Sequence, residues 1–333
     1  MREREFIQFI AGKCAGKHPH LRKGIGDDCA VFGNIPGKDW LVTTDMLVAG
    51  VHFDTSWHDP YLLGRKSLAV NLSDIAAMAG TPQFVLLSIA VPGEYDTSWI
   101  ETYMAGFFSM LEEHNCVLIG GDTVSSEKLT LSVTVIGTAT AGRAIGRDGA
   151  RAGDAIYVSG PLGSAAAGLH LCQAGRFTVT DTRGCKWQEL LSRHLDPSPR
   201  LQLAQLLLNC GCVTAMQDIS DGIATDLSHI CTASRVAATI EEEALPAHGE
   251  LLSMCGEMDR DPLHFQLRGG EDYELLFTVQ SGREEELERL VASGGTGDKI
   301  YRIGRVGKGQ GVTLLTRSAE RVAIDYQGYE HST

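Results

Sequence analysis

The sequence contains no C-x-x-C pair. Its nine cysteines, an odd number, lie scattered between Cys14 and Cys255, a distribution that fits a reduced cytosolic chain better than a disulfide framework or a zinc site. Cys210 and Cys212 are the closest pair; they follow the apolar run 206–208 and read as buried structural thiols. No apolar stretch approaches the ~20 residues needed to span a bilayer. The charged start MREREFIQFIAGK also lacks the long apolar segment and cleavage site of a signal peptide, so a cytoplasmic protein without membrane contact is expected. Basic residues are scarce, 29 Lys and Arg against 42 Asp and Glu, for a formal net charge of −13. That balance argues against nucleic acid as the main partner, because phosphate backbones are neutralised by clustered Lys and Arg.

Common catalytic signatures are missing too. The nearest approach to a G-x-x-x-x-G-K-[ST] loop is AGKCAGKH at 11–18, with Ala11 in place of the first glycine and His18 in place of the hydroxyl that should reach a metal ion. There is no G-x-S-x-G elbow, no H-E-x-x-H and no H-R-D loop.

The 333 residues suggest two domains, and 43% hydrophobic with 21% charged residues is the composition of an ordinary globular chain. The first half reads as a helix at 3–15, strands at 29–33 and 40–44, a long helix at 60–79, a strand at 84–91, a helix at 97–115, and strands at 116–119 and 129–138. A Gly- and Arg-rich stretch, 142–153, marks the boundary. The second half reads as a strand at 154–159, a helix from Leu162, two helices flanking DPSP at 196–199, a strand at 213–217, a helix at 222–233 and a strand at 235–240. An ambiguous segment at 245–264 precedes a strand at 273–279, a helix at 283–292 and strands at 301–306 and 312–316. The expected fold is α/β (α+β), with two layered mixed domains at 1–142 and 150–317 and a peripheral tail at 318–333.

What the chain does have is glycine, 38 residues against a usual ~7%, set beside acidic residues. Five segments combine Asp with Gly or a hydroxyl: Gly26-Asp27-Asp28, Thr43-Thr44-Asp45, Asn71-Leu72-Ser73-Asp74, Gly120-Gly121-Asp122-Thr123 and Asp218-Ile219-Ser220-Asp221-Gly222. Most adjoin a predicted strand end and read as turns. Singly, each has a plain explanation as a turn or an N-cap. Asp74 resists it, because an Asp within an Ala-rich helical stretch lies where an apolar residue would cost less. Converging carboxylates repel one another, and an all-oxygen set suits Mg²⁺ or Mn²⁺, not zinc or copper. Such ions would turn an acidic pocket into a phosphate-binding one, with glycine amides as further donors.

The runs GIGDDCAVF (24–32), TTDMLVAGVHFD (43–54), NLSDIAAMAGTP (71–82), IGGDT (119–123), GRDGARAGD (146–154), LDPSPR (195–200), DISDGIATDL (218–227) and GGEDYELLF (269–277), with a closing GYEH, together resemble the thiamine-monophosphate kinase family. That family belongs with aminoimidazole-ribonucleotide synthetase, selenophosphate synthetase and a hydrogenase-maturation factor. The resemblance implies an N-terminal domain that pairs with its copy in a homodimer to form a shared β-barrel, and ATP bound between the domains. It implies direct in-line transfer of a phosphoryl group from ATP to thiamine monophosphate, with several Mg²⁺ ions; a monovalent cation is left open. By matching motif, Asp28, Thr43, Thr44, Asp45, Asp74, Asp122, Asp218 and Asp221 would serve the metals. Tyr103, Gly121, Asp122, Arg147 and Ser220 would contact ATP, and His52, Glu271 and Tyr329 would face the thiamine substrate.

The residues themselves give these roles uneven support. Trp99, Tyr103 and Phe107 form an i, i+4, i+8 stripe typical of a core or an interface. His52 sits between Val51 and Phe53 as a packed histidine would, while Tyr329 suits stacking on a cationic ring. Where the family pattern has Gly-Ala after NLSDIAAM, this chain has Ala79-Gly80, a change to the turn and not to the ligands. Ser164-Ala165 and the ending His331-Ser332-Thr333 also depart from it. Two other readings stand beside this one: a sister ATP-dependent enzyme, for which Cys14 is a poor match to a reactive N-terminal cysteine, and a catalytically silent nucleotide-binding scaffold.

Overall fold

The computed structural model describes residues 21–23, 27–175, 184, 186–294, 297–325 and 328. The first sheet comprises β1 (Leu21–Lys23), β2 (Ala30–Ile35), β3 (Lys38–Val48), β4 (Thr81–Val91), β5 (Val117–Ser125) and β6 (Thr130–Thr140), in the order β1-β2-β3-β6-β4-β5. All neighbours are antiparallel except β4 and β5, which run parallel. β6 alternates buried and half-buried positions because TLSVTVIGTAT alternates residues that pack inward with Thr and Ser. Helix α1 (Pro60–Ala77) and helix α2 (Thr97–Glu113) cover that face.

Helix α1 is the centre of the molecule. Asp59 caps it by accepting from Tyr61 N at 2.8 Å, and Pro60 opens it without a wasted donor. It touches β3, β4, β6 and α2 on one side and elements of the second half on the other, so it is buried nearly all round, its polar residues Lys66, Ser67, Asn71 and Ser73 included. Gly64 and Gly106 allow the α1 and α2 backbones to meet, since a Cβ at either would overlap Tyr103 O or Tyr61 O.

The second sheet comprises β7 (Ala155–Val158), β8 (Val213–Asp218), β9 (Ala237–Glu241), β10 (Leu275–Val279), β11 (Tyr301–Gly307), β12 (Gly311–Leu315) and β13 (Arg321–Ala323), in the order β13-β12-β9-β11-β7-β10-β8. Its central strands, AIYV and LLFTV, are wholly buried, hence apolar without alternation. The helices are α3 (Ser164–Gln173), α4 (Gln188–Leu195), α5 (Leu201–Cys210), α6 (Ile223–Ser234), α7 (Gly249–Met258), α8 (Pro262–Arg268) and α9 (Glu284–Ser293). One apolar cluster is continuous across the two halves, joining Leu72, Ile75 and Val135 to Leu203, Met216 and Phe277. Among the described residues no helix is long and apolar enough to cross a membrane.

Several expectations need correction. The strand expected at 40–44, which holds Thr43 and Thr44, runs on through Asp45 to Val48, so Asp45 is not in a turn, and GGDT is part of β5, whose pairing with β4 extends well past residue 119. The tail after 318 adds strand β13 to the second sheet, and the segment 245–264 contains helix α7 and the start of α8. The helix expected at 3–15, Cys14 and Tyr329 lie outside the described residues.

The end of α1 explains the Ala79-Gly80 order. Gly80 N donates to Ile75 O and Ala79 N to Ala76 O, each at 2.8 Å, the pairing that terminates a helix through one left-handed residue. That residue is Ala79, with φ 53°, while a Cβ on Gly80 would overlap Leu41 Cδ1. Ala79→Gly should therefore stabilise the protein by about 0.5–1 kcal/mol. Gly80→Ala should destabilise it by about 1–3 kcal/mol; urea unfolding of both variants measures the difference.

Candidate active site

Asp28 precedes β2, Asp74 sits in the last turns of α1, and Asp218 ends β8; their carboxylate oxygens lie within 4.8 Å of one another. Asp45, on β3, lies near enough for its charge to act on Asp74 and Asp218, and its N–H donates to Asn71 Oδ1 at 3.0 Å. Thr43 donates to the Asp74 carboxylate, Ser73 donates to Asp218 Oδ2 at 2.5 Å, and the Arg147 guanidinium pairs with Asp28. Strand, helix and strand end thus each deliver one acid to the seam between the sheets.

The electrostatics follow from burial and mutual repulsion. Burial pushes Asp28 up, against the pull of Arg147. Burial and then the Asp28 charge push Asp45 up to about 6. Asp74 is raised well above the usual range by burial, with Asp45, Asp218 and Asp28 adding to it. Asp218 is pushed up to about 7 by burial and Asp28, despite its bond from Ser73. Among the described residues the buried Oδ2 of Asp28 accepts no hydrogen bond. A buried acceptor with no donor, amid oxygen ligands of one charge, is the donor set of a hard divalent cation.

The cluster borders a cleft of about 690 Å³. Asp221 and Ser220 stand on its wall, in a loop fixed by Asp226, whose Oδ2 accepts from Asp221 N at 3.2 Å and Gly222 N at 3.0 Å. Beside this loop lies the GGED turn. Glu271 N donates to Ser220 O at 2.8 Å, and a Cβ on Gly270 would overlap that same carbonyl. Asp272 caps α3 through Gly163 N at 2.6 Å and Ala165 N at 3.1 Å, and burial pushes it up to about 7 against those bonds. Glu271 lines the cleft; burial would raise it, but the Lys66 ammonium, 3.0 Å away, and the His194 imidazole hold it well below the usual carboxylate range.

Asp28, Thr43, Asp45, Asp74 and Asp218 therefore come together, with Arg147 on Asp28. Thr44, His52, Ser220, Asp221 and Glu271 line the adjoining cleft. His52 Nδ1 accepts from Val48 N at 3.0 Å, so its ring is held by its own turn. Gly121 and the exposed Asp122 lie on the edge strand β5, away from the cleft lining; Gly121 is required by close approach, since a Cβ would overlap Leu87 O. Tyr103 is a correction: at 0% exposure it bonds Ser67 Oγ at 2.9 Å and stacks between Trp99 and Phe107, leaving no face for a nucleotide. Tyr329 is undescribed, but neighbouring Gly328 donates to Thr225 Oγ1 at 2.8 Å and has no room for a Cβ beside Asp221 O. Sequence reasoning singled out the segment Asn71-Leu72-Ser73-Asp74 but missed Lys66, His194 and Asp226 as supports of the site. Lys66 is a charged residue on α1, and charge on a helix buried nearly all round was its available signal.

The two α/β halves each match a family model. The chain matches AIR synthase related protein, N-terminal domain, over residues 26–139 and AIR synthase related protein, C-terminal domain, over residues 151–316. The thiamine-monophosphate kinase of Salmonella typhimurium is 40% identical over 93% of this chain and 92% of its own length, and that of Bacillus subtilis 36% over 94% of each. The solved structure described as AaThiL complexed with AMPPCP and TMP is 33% identical, covers 98% of this chain and 97% of its own, and superposes with a TM-score of 0.84. The chain belongs to the thiamine-monophosphate kinase family.

The raised acids set a pH dependence. Asp45 and Asp218 hold protons up to about 6 and about 7 in the folded chain, against 3.8 ordinarily, so in that window the folded state binds more protons and loses stability as pH rises. With EDTA present, unfolding midpoints should fall between pH ~4 and ~7.5; Mg²⁺ should flatten the fall.

Proposed function

We propose that the seam cleft binds ATP and thiamine monophosphate and transfers the γ-phosphoryl group directly to the acceptor phosphate, giving thiamine diphosphate. The observation that carries this reading is the set of four converging acids beside a cleft, in a chain whose relatives are thiamine-monophosphate kinases. Asp28, Asp45, Asp74 and Asp218, with Thr43, would hold Mg²⁺, and Thr44, Asp221 and Asp122 would complete the metal set. Bound Mg²⁺ supplies charge neutralisation for the phosphates as they approach.

The chain's own residues supply placement. Thr43, Ser73 and Asn71 fix the ligand-bearing segments before any substrate arrives. Gly121, Arg147 and Ser220 are the proposed ATP contacts, and His52, Glu271 and Tyr329 the thiamine contacts. The ionised Glu271 carboxylate suits a cationic thiazolium, and Phe53, Trp57 and Leu169 offer the cleft's apolar surface to rings. The acceptor is already an ionised phosphate, so no general base is assigned.

The proposed homodimer rests on β5. It is an edge strand exposed on both faces, with Val117, Ile119 and Val124 at 57%, 53% and 52% exposure. A bare apolar edge invites pairing with another strand, and a second copy would close the two sheets into a shared barrel. Asp122 stands on that strand, so the pairing of two copies decides what its carboxylate faces. Light scattering should give a dimer for the wild type and a monomer for Ile119→Lys/Val124→Lys.

The direct test is purified protein with Mg²⁺, ATP and thiamine monophosphate, following thiamine diphosphate and ADP. Asp74→Asn should fold normally and lose on the order of 10²-fold or more in kcat. Near-normal turnover would remove Asp74 from the metal set. Failure to form thiamine diphosphate, with formylglycinamidine ribonucleotide cyclised instead, would move the protein to the sister enzyme.

A further inference from the structure

Among the described residues Lys66 is the largest charged side chain withdrawn completely from solvent, at 0% exposure in the middle of α1. Its ammonium donates to Glu271 Oε2 at 3.0 Å and to His194 O at 2.9 Å. It therefore reaches from the first half of the chain to two separate elements of the second: the GGED turn and the C-terminal end of α4. That helix end is itself favourable for a cation. His194 Nδ1 lies 3.0 Å from the same Glu271 oxygen, and His58 Nε2 sits 3.1 Å from Leu195 O. Burial, with Lys66 next in effect, holds both imidazoles below their ordinary range. They are neutral neighbours, and the positive charge touching Glu271 is that of Lys66.

Stability alone does not account for this arrangement. Burying a lysine and a glutamate costs several kcal/mol per ion in desolvation, and an apolar pair of the same volume is often as stable. Glu271 also carries a left-handed backbone, φ 64°, a conformation that disfavours any residue with a Cβ. Its carboxylate is nevertheless kept at the cleft, 25% exposed, with Oε2 turned toward Lys66 and His194.

We propose that Lys66 is a positioning residue for the thiamine substrate: it anchors one oxygen of Glu271 across the domain seam so that the carboxylate is presented, ionised and in fixed orientation, to a cationic or amino-bearing ring. The inference rests on the thiamine-monophosphate reading of the cleft. Lys66 is not in the cleft lining, and its ammonium donates to Glu271 and His194, so it would act through Glu271.

The test is steady-state kinetics on full-length wild type, Lys66→Met, Glu271→Gln and the double variant, varying thiamine monophosphate and ATP separately. Lys66→Met should raise KM for thiamine monophosphate at least about tenfold while kcat and KM for ATP stay within about threefold. The double variant removes both charges and leaves no unpaired buried ion, so it should fold, and its KM should match that of Glu271→Gln, showing that the two residues act as one unit. An unchanged KM in Lys66→Met, equal losses toward both substrates, or a double variant far worse than Glu271→Gln would overturn the proposal. If Lys66→Met does not fold, the double variant decides by the same comparison; its failure to fold while Glu271→Gln folds would make Lys66 structural and overturn the proposal too. Absence of thiamine diphosphate from the wild type would sink the functional reading and this inference together, whereas normal wild-type turnover with unaffected variants sinks this inference alone.

Discussion

Two carboxylates about 4 Å apart repel by about 4 kcal/mol at an effective dielectric near 20, and Asp28, Asp74 and Asp218 are gathered closely enough for that repulsion to act among all three. The chain concentrates this charge at the seam between its two sheets and shields it from water, as the raised Asp28, Asp45, Asp74 and Asp218 show. Arg147 answers part of it. Protons or metal cations would answer the rest, and cations held there would present positive charge to an incoming anion.

Holding like charges together demands a rigid frame. Helix α1 provides it by being buried on both sides, capped by Asp59 and closed at Ala79-Gly80, so that Asp74 cannot swing away from Asp218. Around the cleft, each backbone turn is pinned by a buried acid or carbonyl: Asp226 holds the DISDG loop, Ser220 O holds Glu271, and Asp272 caps α3. One helix of the first half and one turn of the second thus share an acid of the cluster, the cleft wall and the ion pair that joins them.

The strands were legible wherever one face is buried, as in TLSVTVIGTAT, because alternation is the direct imprint of a two-sided environment. GGDT misled because its composition is that of a turn. In the fold, Gly121 is needed inside β5 for contact with the β4 backbone, a requirement that only the neighbouring strand creates. Tyr103 shows the opposite conflict: its helical stripe pointed to core packing, the family motif pointed to nucleotide, and burial against Ser67 and Trp99 settled it for the core.

The sequence by itself determined which residue types were available for chemistry: the Asp-rich motifs, the flanking glycines and hydroxyls, and the absence of a P-loop, a zinc set or a basic surface. It also carried the two-part α/β plan, since periodicity and turn residues are local properties. Only the tertiary structure decided which acids meet. Asp28, Asp45, Asp74 and Asp218 are separated by tens of residues along the chain, and their pKa shifts arise from burial and mutual distance, neither of which a linear pattern contains. Lys66 is the same case: an ordinary lysine in sequence, it becomes a buried interdomain contact because α1 is covered on every side.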